Sequence, residues 1–390
     1  MTIKPNSSAN AKPANRLSRH LQHWCRCLPV GLSVGLPQLL RAEDHVDYRY
    51  EYYDETDKRM KIETHSVYFE QKLIDSVVAK GELVYDGISG ATPIGTHNYA
   101  GQAITSHMWD LRREANLELD WKVGRQTFTP GFAWSQEHDY LSYGISLNDA
   151  IEFNDKNTIL QLGASHNFDS VGKTGSSIWH DKDSTEGIVG VSQLLSPKDV
   201  LNVAFTFGND SGYLSDPYRY AEYHPGFFPP GFTKAVSENR PAHRNKEIFF
   251  TSLTHHFDSL DASLEGSYRF YHDSYDVFAN TVGLTWHQWL GRHLMVEPLF
   301  RFSEQSAASF YSTTFNGPGF IPSGYSFYSS DYRLSEMFTL DYGLQATVLI
   351  SDHVRFVAGY HRYEMRGLDN TTADMYPKAN VYTVGFSILW

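Results

Sequence analysis

The sequence is short of cysteine, of long apolar runs and, over its first 42 residues, of acid. Its two cysteines, Cys25 and Cys27, both lie in that opening segment. Loss of the segment would leave no thiol, so no disulfide could staple the fold and stability would have to come from packing and backbone pairing. Neither cysteine stands in the cleavage context of a lipoprotein. No run of about 18 apolar residues occurs, which excludes a bundle of membrane-crossing helices. Acid is absent from 1–42, whereas Lys4, Lys12, Arg16, Arg19, Arg26 and Arg41 are present. A basic region ending at Arg26, a modestly apolar run from Cys27 to Leu40, and Leu40-Arg41-Ala42 ahead of Glu43 predict a secretory signal peptide over 1–42. The barrel described below is expected to fill 43–390.

A basic surplus is lacking too. The formal net charge is −12 and becomes −18 once the six basic residues of the leader are removed. That excludes the electrostatic footprint of a nucleic-acid binder. An acidic surface serves solubility and can attract cations.

Aromatic residues, by contrast, are abundant: 25 Tyr and 24 Phe in a chain of negative mean hydropathy. The combination suits a membrane β-barrel, whose strands are half apolar and whose rims carry aromatic girdles. The pattern is plainest from Val381 to Trp390. Tyr382, Val384, Phe386, Ile388 and Trp390 share one face, and Thr383, Gly385 and Ser387 the other. Ending on an aromatic resembles the last strand of outer-membrane barrels, a resemblance that implies engagement of the barrel-insertion machinery through Trp390.

Similar alternation recurs at Val46 to Tyr52, Ala115 to Val123, Leu201 to Gly208 and Phe338 to Val348. Seven tight turns rich in Gly, Asn, Asp and Ser (73–76, 123–125, 154–157, 196–199, 258–261, 291–293 and 351–353) alternate with eight other connections. The longer of these fall at about 88–110, 168–184, 211–245, 306–335 and 366–379, the shorter near 54–59, 137–140 and 273–276. The count predicts an all-β transmembrane antiparallel barrel of about sixteen strands, within a range of 14 to 18. Both termini would be periplasmic and the long loops extracellular. Changes of phase near 126–138 and 353–365, seen in Tyr360-His361-Arg362-Tyr363, suggest a bulge or a shifted boundary. A soluble sandwich or propeller would also alternate, but would not account for the leader, the turn asymmetry and the terminal aromatic together.

Several stretches resemble a family of bacterial outer-membrane barrels known only as a domain of unknown function (number 3570). They are Tyr85-Asp86-Gly87-Ile88-Ser89-Gly90-Ala91-Thr92-Pro93, Glu137-His138-Asp139-Tyr140, Gly212-Tyr213-Leu214-Ser215-Asp216-Pro217-Tyr218-Arg219, Tyr268-Arg269-Phe270-Tyr271-His272-Asp273 and Ser329-Ser330-Asp331-Tyr332-Arg333-Leu334-Ser335. The resemblance spans most of the chain after the leader and implies an outer-membrane location without an activity. Phe270, where a second Tyr would fit the pattern, and the Pro-rich stretch His224 to Phe232 depart from it.

Candidate functional residues gather at strand ends, where Asp and Arg recur beside Tyr. Asp86, Glu137, Asp139, Asp216, Arg219, Arg240, Arg244, Arg269, Asp273, Asp331 and Arg333 are expected near one rim, with Glu265, Glu297 and Arg301 in the lumen below. Such a ring can filter small solutes by charge and size. The same pairs can instead fold loops onto the barrel. No histidine spacing marks a metal site, and no cofactor is expected. Glu137-His138-Asp139 with Ser142, and Tyr271-His272-Asp273 with Ser274, offer hydrolase-like local sets. Neighbours on a strand point oppositely, and no G-x-S-x-G stretch occurs, so no enzyme is expected. The reading is a passive outer-membrane pore in contact with lipid. The alternative is a docking barrel that meets a partner through its aromatic loops, whose Gly, Pro, Tyr and Phe content also suits a plug. With strand one expected within a few residues of the expected cleavage site, no separate plug domain is expected, which disfavours an energy-coupled transporter.

Overall fold

In a computed structural model the described residues are 44–226, 233–322 and 324–390. The expected leader and most of the Pro-rich stretch lie outside them. Nineteen strands are present: β1 His45–Glu55, β2 Met60–Ile74, β3 Val77–His97, β4 Ala103–Val123, β5 Gln126–Gln136, β6 Tyr140–Phe153, β7 Thr158–Val171, β8 His180–Ser196, β9 Asp199–Gly212, β10 Tyr220–Pro225, β11 Lys234–Ser237, β12 His243–Phe257, β13 Ala262–Asp273, β14 Phe278–Leu290, β15 Leu294–Gln305, β16 Phe315–Gly317, β17 Met337–Ser351, β18 Val354–Gly367 and β19 Lys378–Leu389. Sixteen of them close into an antiparallel barrel; β10, β11 and β16 form a separate small sheet.

The polarity of a soluble protein is inverted here. On β19, Tyr382, Val384, Phe386 and Ile388 are 44–46% exposed, while Thr383 between them is 4% exposed. The same alternation leaves Leu117, Leu119 and Trp121 of β4 outside and buries polar Glu70, Asn202, Ser252 and Thr281 elsewhere on the inner wall. Apolar side chains facing outward on every wall require a lipid solvent. In lipid an open sheet edge would strand unpaired N–H and C=O groups, so the barrel has to close. Closure runs from His45 opposite Leu389 to Glu55 opposite Ala379, and the Trp390 N–H reaches the Asp44 carbonyl at 2.9 Å.

All seven expected tight turns lie together at one end, the turn end. There Gly124 (φ 62°) and Gly291 (φ 71°) take left-handed conformations that suit glycine. The long connections crowd the other, loop end. Tyr52, Tyr382 and Tyr360 stack side by side across β1, β19 and β18, with ring centroids 6.5 and 5.3 Å apart. Outward positions beyond them towards the loop end carry Asp54, Arg362 and Glu364, so these tyrosines bound the apolar band.

Two expectations are corrected. Residues 88–110 are not mainly a loop: β3 and β4 continue as a paired hairpin past the band, and only 98–102 connect them. Polar faces on both sides made this part look like a loop, because outside lipid neither face needs to be apolar. Nor does β18 change phase at 360–363. It pairs without interruption from Arg355 to Gly367 and shifts only at Leu349/Ser351 beside the turn. Tyr363 points inward because a small core of loop side chains, built on Tyr332, Met337, Met365, Met375 and Tyr376, receives it.

Candidate functional site

The loop end is bridged by its own loops. The connection from β9 to β12 carries β10 and β11, rises over the mouth and reaches β3, six strands round the barrel. Arg219 donates to Thr92 Oγ1 at 3.1 Å. Gly95 (φ 97°) lies under the same loop, where a Cβ would come within 2.5 Å of the Tyr220 carbonyl oxygen. Across the mouth, the 306–336 connection adds β16 parallel to β10. Ser329 donates to Glu238 at 2.5 Å, joining the two loops. Ala221, Tyr223 and Phe315 form a buried apolar seam under them.

Ion pairs hold this lid together. Asp331 is fully buried and accepts from Arg333 Nη2 at 2.5 Å and Arg240 Nη2 at 2.7 Å, with Arg219 Nε 4.0 Å away. Arg333 also donates to Asp216 at 2.7 Å, and Arg240 Nε lies 2.7 Å from Glu238. Burial opposes ionisation of Asp331, but Arg333, Arg219 and Arg240 outweigh it and hold the carboxyl well below the usual carboxylate range. Asp216 is lowered for the same reason: Arg333 and Arg219 overcome its burial. Five predicted residues, Asp216, Arg219, Arg240, Asp331 and Arg333, are therefore one knot.

A second predicted pair sits at the β13–β14 turn. Asp273, 1% exposed, accepts from Arg244 Nε at 2.8 Å, from Tyr271 Oη at 2.6 Å and from the Tyr275 N–H at 2.8 Å. Its carboxylate shapes the turn while Arg244 lies 4.6 Å from the Tyr275 ring centroid.

A third group forms around β4. Asp86 accepts from Arg112 Nε at 2.7 Å. Oxygens of Asp110, Glu137 and Asp139 lie within 4.8 Å of one another. Burial, then the charges of Asp110 and Asp139, push the Glu137 carboxyl up to about 7 despite Arg112 nearby. Retaining a proton on Glu137 relieves the repulsion. Tyr218 of the lid donates to Asp139, tying this group to the lid.

The remaining predicted residues lie lower, inside the barrel. Glu297 is 4% exposed, 2.7 Å from His287 Nδ1 and 3.0 Å from the Gln345 amide. Arg269 lies 5.3 Å from the centroid of Tyr271. Arg301 stands opposite Asp341 in register, and its side chain makes no hydrogen bond or ion pair among the described residues. One rim thus gathers most of the residues expected there, while Arg269, expected with them, faces the lumen as Glu297 and Arg301 do.

Neither local hydrolase-like set assembles. His138 turns to Asp110, at 2.6 Å, rather than to Glu137 or Asp139. His272 stacks on Phe278 at 4.4 Å, whereas Asp273 points to Arg244. Sequence reasoning missed Arg112, Asp110 and a clasp across the mouth. In that clasp His97 engages Glu222 through its backbone N–H (2.9 Å) and Nδ1 (2.8 Å), and Nε2 lies 2.9 Å from Thr372 Oγ1. The end of β3, β10 and the β18–β19 connection supply these residues, so no local spacing could have announced it.

A closed, inside-polar barrel with a lidded mouth defines an outer-membrane-type β-barrel protein. A family model described as "Protein of unknown function (DUF3570)" matches residues 33–108, 98–178 and 174–390, and the chain belongs to that family. No curated protein matches it. Among solved structures it is similar to CdiB from Acinetobacter baumannii, at 9% identity and a TM-score of 0.50, over 89% of this chain and 60% of that one. It is also similar to the siderophore receptor PirA from Pseudomonas aeruginosa (9% identity, TM-score 0.44, 88% of this chain and 61% of that one). A third is in-vitro folded OmpT, an outer membrane protein of Vibrio cholerae (11% identity, TM-score 0.46, 89% and 98%). The chain thus spans about three-fifths of the receptor's length. At such identities the likeness concerns the fold alone.

Proposed function

We propose that this protein is an integral barrel of the bacterial outer membrane, with both termini periplasmic and the lid extracellular, that works as a passive pore for small solutes. The observation that supports this best is the polar inner wall of a ring of sixteen strands, a size that encloses an aqueous channel unless loops fill it. Arg301, without a described partner on that wall, is a charge left for passing solutes. The knot around Asp331 narrows the mouth. Lipid is the outer partner, and Trp390, 58% exposed at the turn end, is the signal for the insertion machinery. No cofactor, resident metal, catalysis or nucleic acid enters this function.

Purified protein in planar bilayers tests it: steady unitary openings are expected. A folded barrel that inserts yet stays silent, and passes no small solute into liposomes, overturns the pore. That result would favour the second function, a docking barrel whose ion-locked loops form a rigid partner surface. The ion pairs that the lid makes to the buried Asp331 are the observation behind it.

A further inference from the structure

Charge is distributed unevenly around the inner wall. In the ring of strands, β3, β4 and β5 stand diametrically opposite β13, β14 and β15. On the first wall, Glu70, Lys80 and Glu118 occupy one rung of β2, β3 and β4. Lys80 is bound to Asp120 at 2.6 Å. Glu82 and Glu114 are inward positions of the same strands, an odd number of residues from the outward-facing Leu83 and Leu117. Arg112, also on β4, lies 3.6 Å from Glu114; the carboxylates Glu70, Glu82, Glu114, Glu118 and Asp120 still outnumber the cations Lys80 and Arg112 on this side.

The facing wall differs in sign at mid-height. Arg269 on β13 and Arg301 on β15 flank β14, opposite Thr281 and Gly283, with Ser303 adjoining. Its carboxylates Glu265 and Glu297 lie nearer the turn end. A lumen walled by low-dielectric lipid and protein focuses the field of the charges that line it.

We infer that the pore prefers cations, which travel along the β3–β5 wall while Arg269 and Arg301 repel them from the other side. The inference rests on the pore function proposed above and specifies its solute class: small cations, and dipolar solutes presenting a positive end to Glu82, Glu114 and Glu118. Rings and rows of carboxylates select cations in this way, by substituting for part of the hydration shell and raising local cation concentration.

Reversal potentials of single channels in a potassium chloride gradient test it. The expected wild-type result is a potassium-to-chloride permeability ratio severalfold above one. The isosteric triple variant Glu82→Gln/Glu114→Gln/Glu118→Gln should bring that ratio close to one, and Arg301→Glu should raise it. Opposite shifts from two walls cannot both arise from misfolding. Openings with no cation preference, or a ratio unmoved by both variants, would overturn the inference while leaving the pore intact; absence of any conductance in the wild type would instead overturn the pore itself.

Discussion

At the scale of single residues, the lid is governed by two carboxylates displaced in opposite directions. Asp331 is ionised against its burial by three arginines, so its contribution to lid stability is complete above the ordinary carboxylate value of 3.8 and is lost only as pH falls through its lower folded value. Asp331→Asn leaves Arg219 and Arg240 largely buried, and the half-exposed Arg333 beside them, without the carboxylate at the centre of the knot. It should cost the lid about 3–5 kcal/mol, read as faster hydrogen exchange in 306–336 with the barrel unchanged. Glu137 behaves in reverse. Its folded pKa is raised to about 7, so the folded loop binds a proton that the unfolded one releases, and stability falls as pH rises from about 4.5 through 7. Exchange around 137–139 should therefore quicken across that window, and Glu137→Gln should flatten the dependence; an unchanged slope in that variant would refute the assignment.

At the scale of elements, each strand has a lipid face and a lumen face that tolerate different changes. Phe386→Lys places an ammonium on the outer face of β19 and should lower unfolding stability in lipid by about 2–4 kcal/mol. Ser387→Lys, one residue on and pointing inward, should cost far less in the same urea titration. Gly95→Ala tests how the lid seats on β3. With φ at 97° and the Tyr220 carbonyl 2.5 Å from the added carbon, the loop has to lift, at about 1–3 kcal/mol, and protease access to 213–242 should increase. Most strands were legible because a two-residue period is a local property of the chain. The upper parts of β3 and β4 were not, since past the apolar band their alternation has no lipid to report.

At the scale of the whole molecule, the lid and the lumen are separable parts. Weakening the knot with Asp331→Asn should raise unitary conductance without changing its ion preference, whereas the lumen variants should change preference with the lid intact. The candidate residues were legible as types: Arg and Asp beside Tyr at strand ends did converge, with Asp216 and Arg333 meeting from loops far apart in sequence. Which carboxylate would meet which arginine was not legible, nor was the His97–Glu222 clasp.

Sequence alone determined the barrel: alternating polarity, tight turns at regular intervals and an aromatic last strand together leave lipid as the only solvent for the outward faces. Only the tertiary structure decided that the long loops cross the mouth and lock, that Glu137 shares a small space with Asp110 and Asp139, and that Arg269 and Arg301 stand across the ring from the carboxylates of β3 and β4. Strand polarity is written into neighbouring residues, whereas these contacts depend on the closing of the ring, which sets β3 opposite β13 and brings loops from opposite walls together.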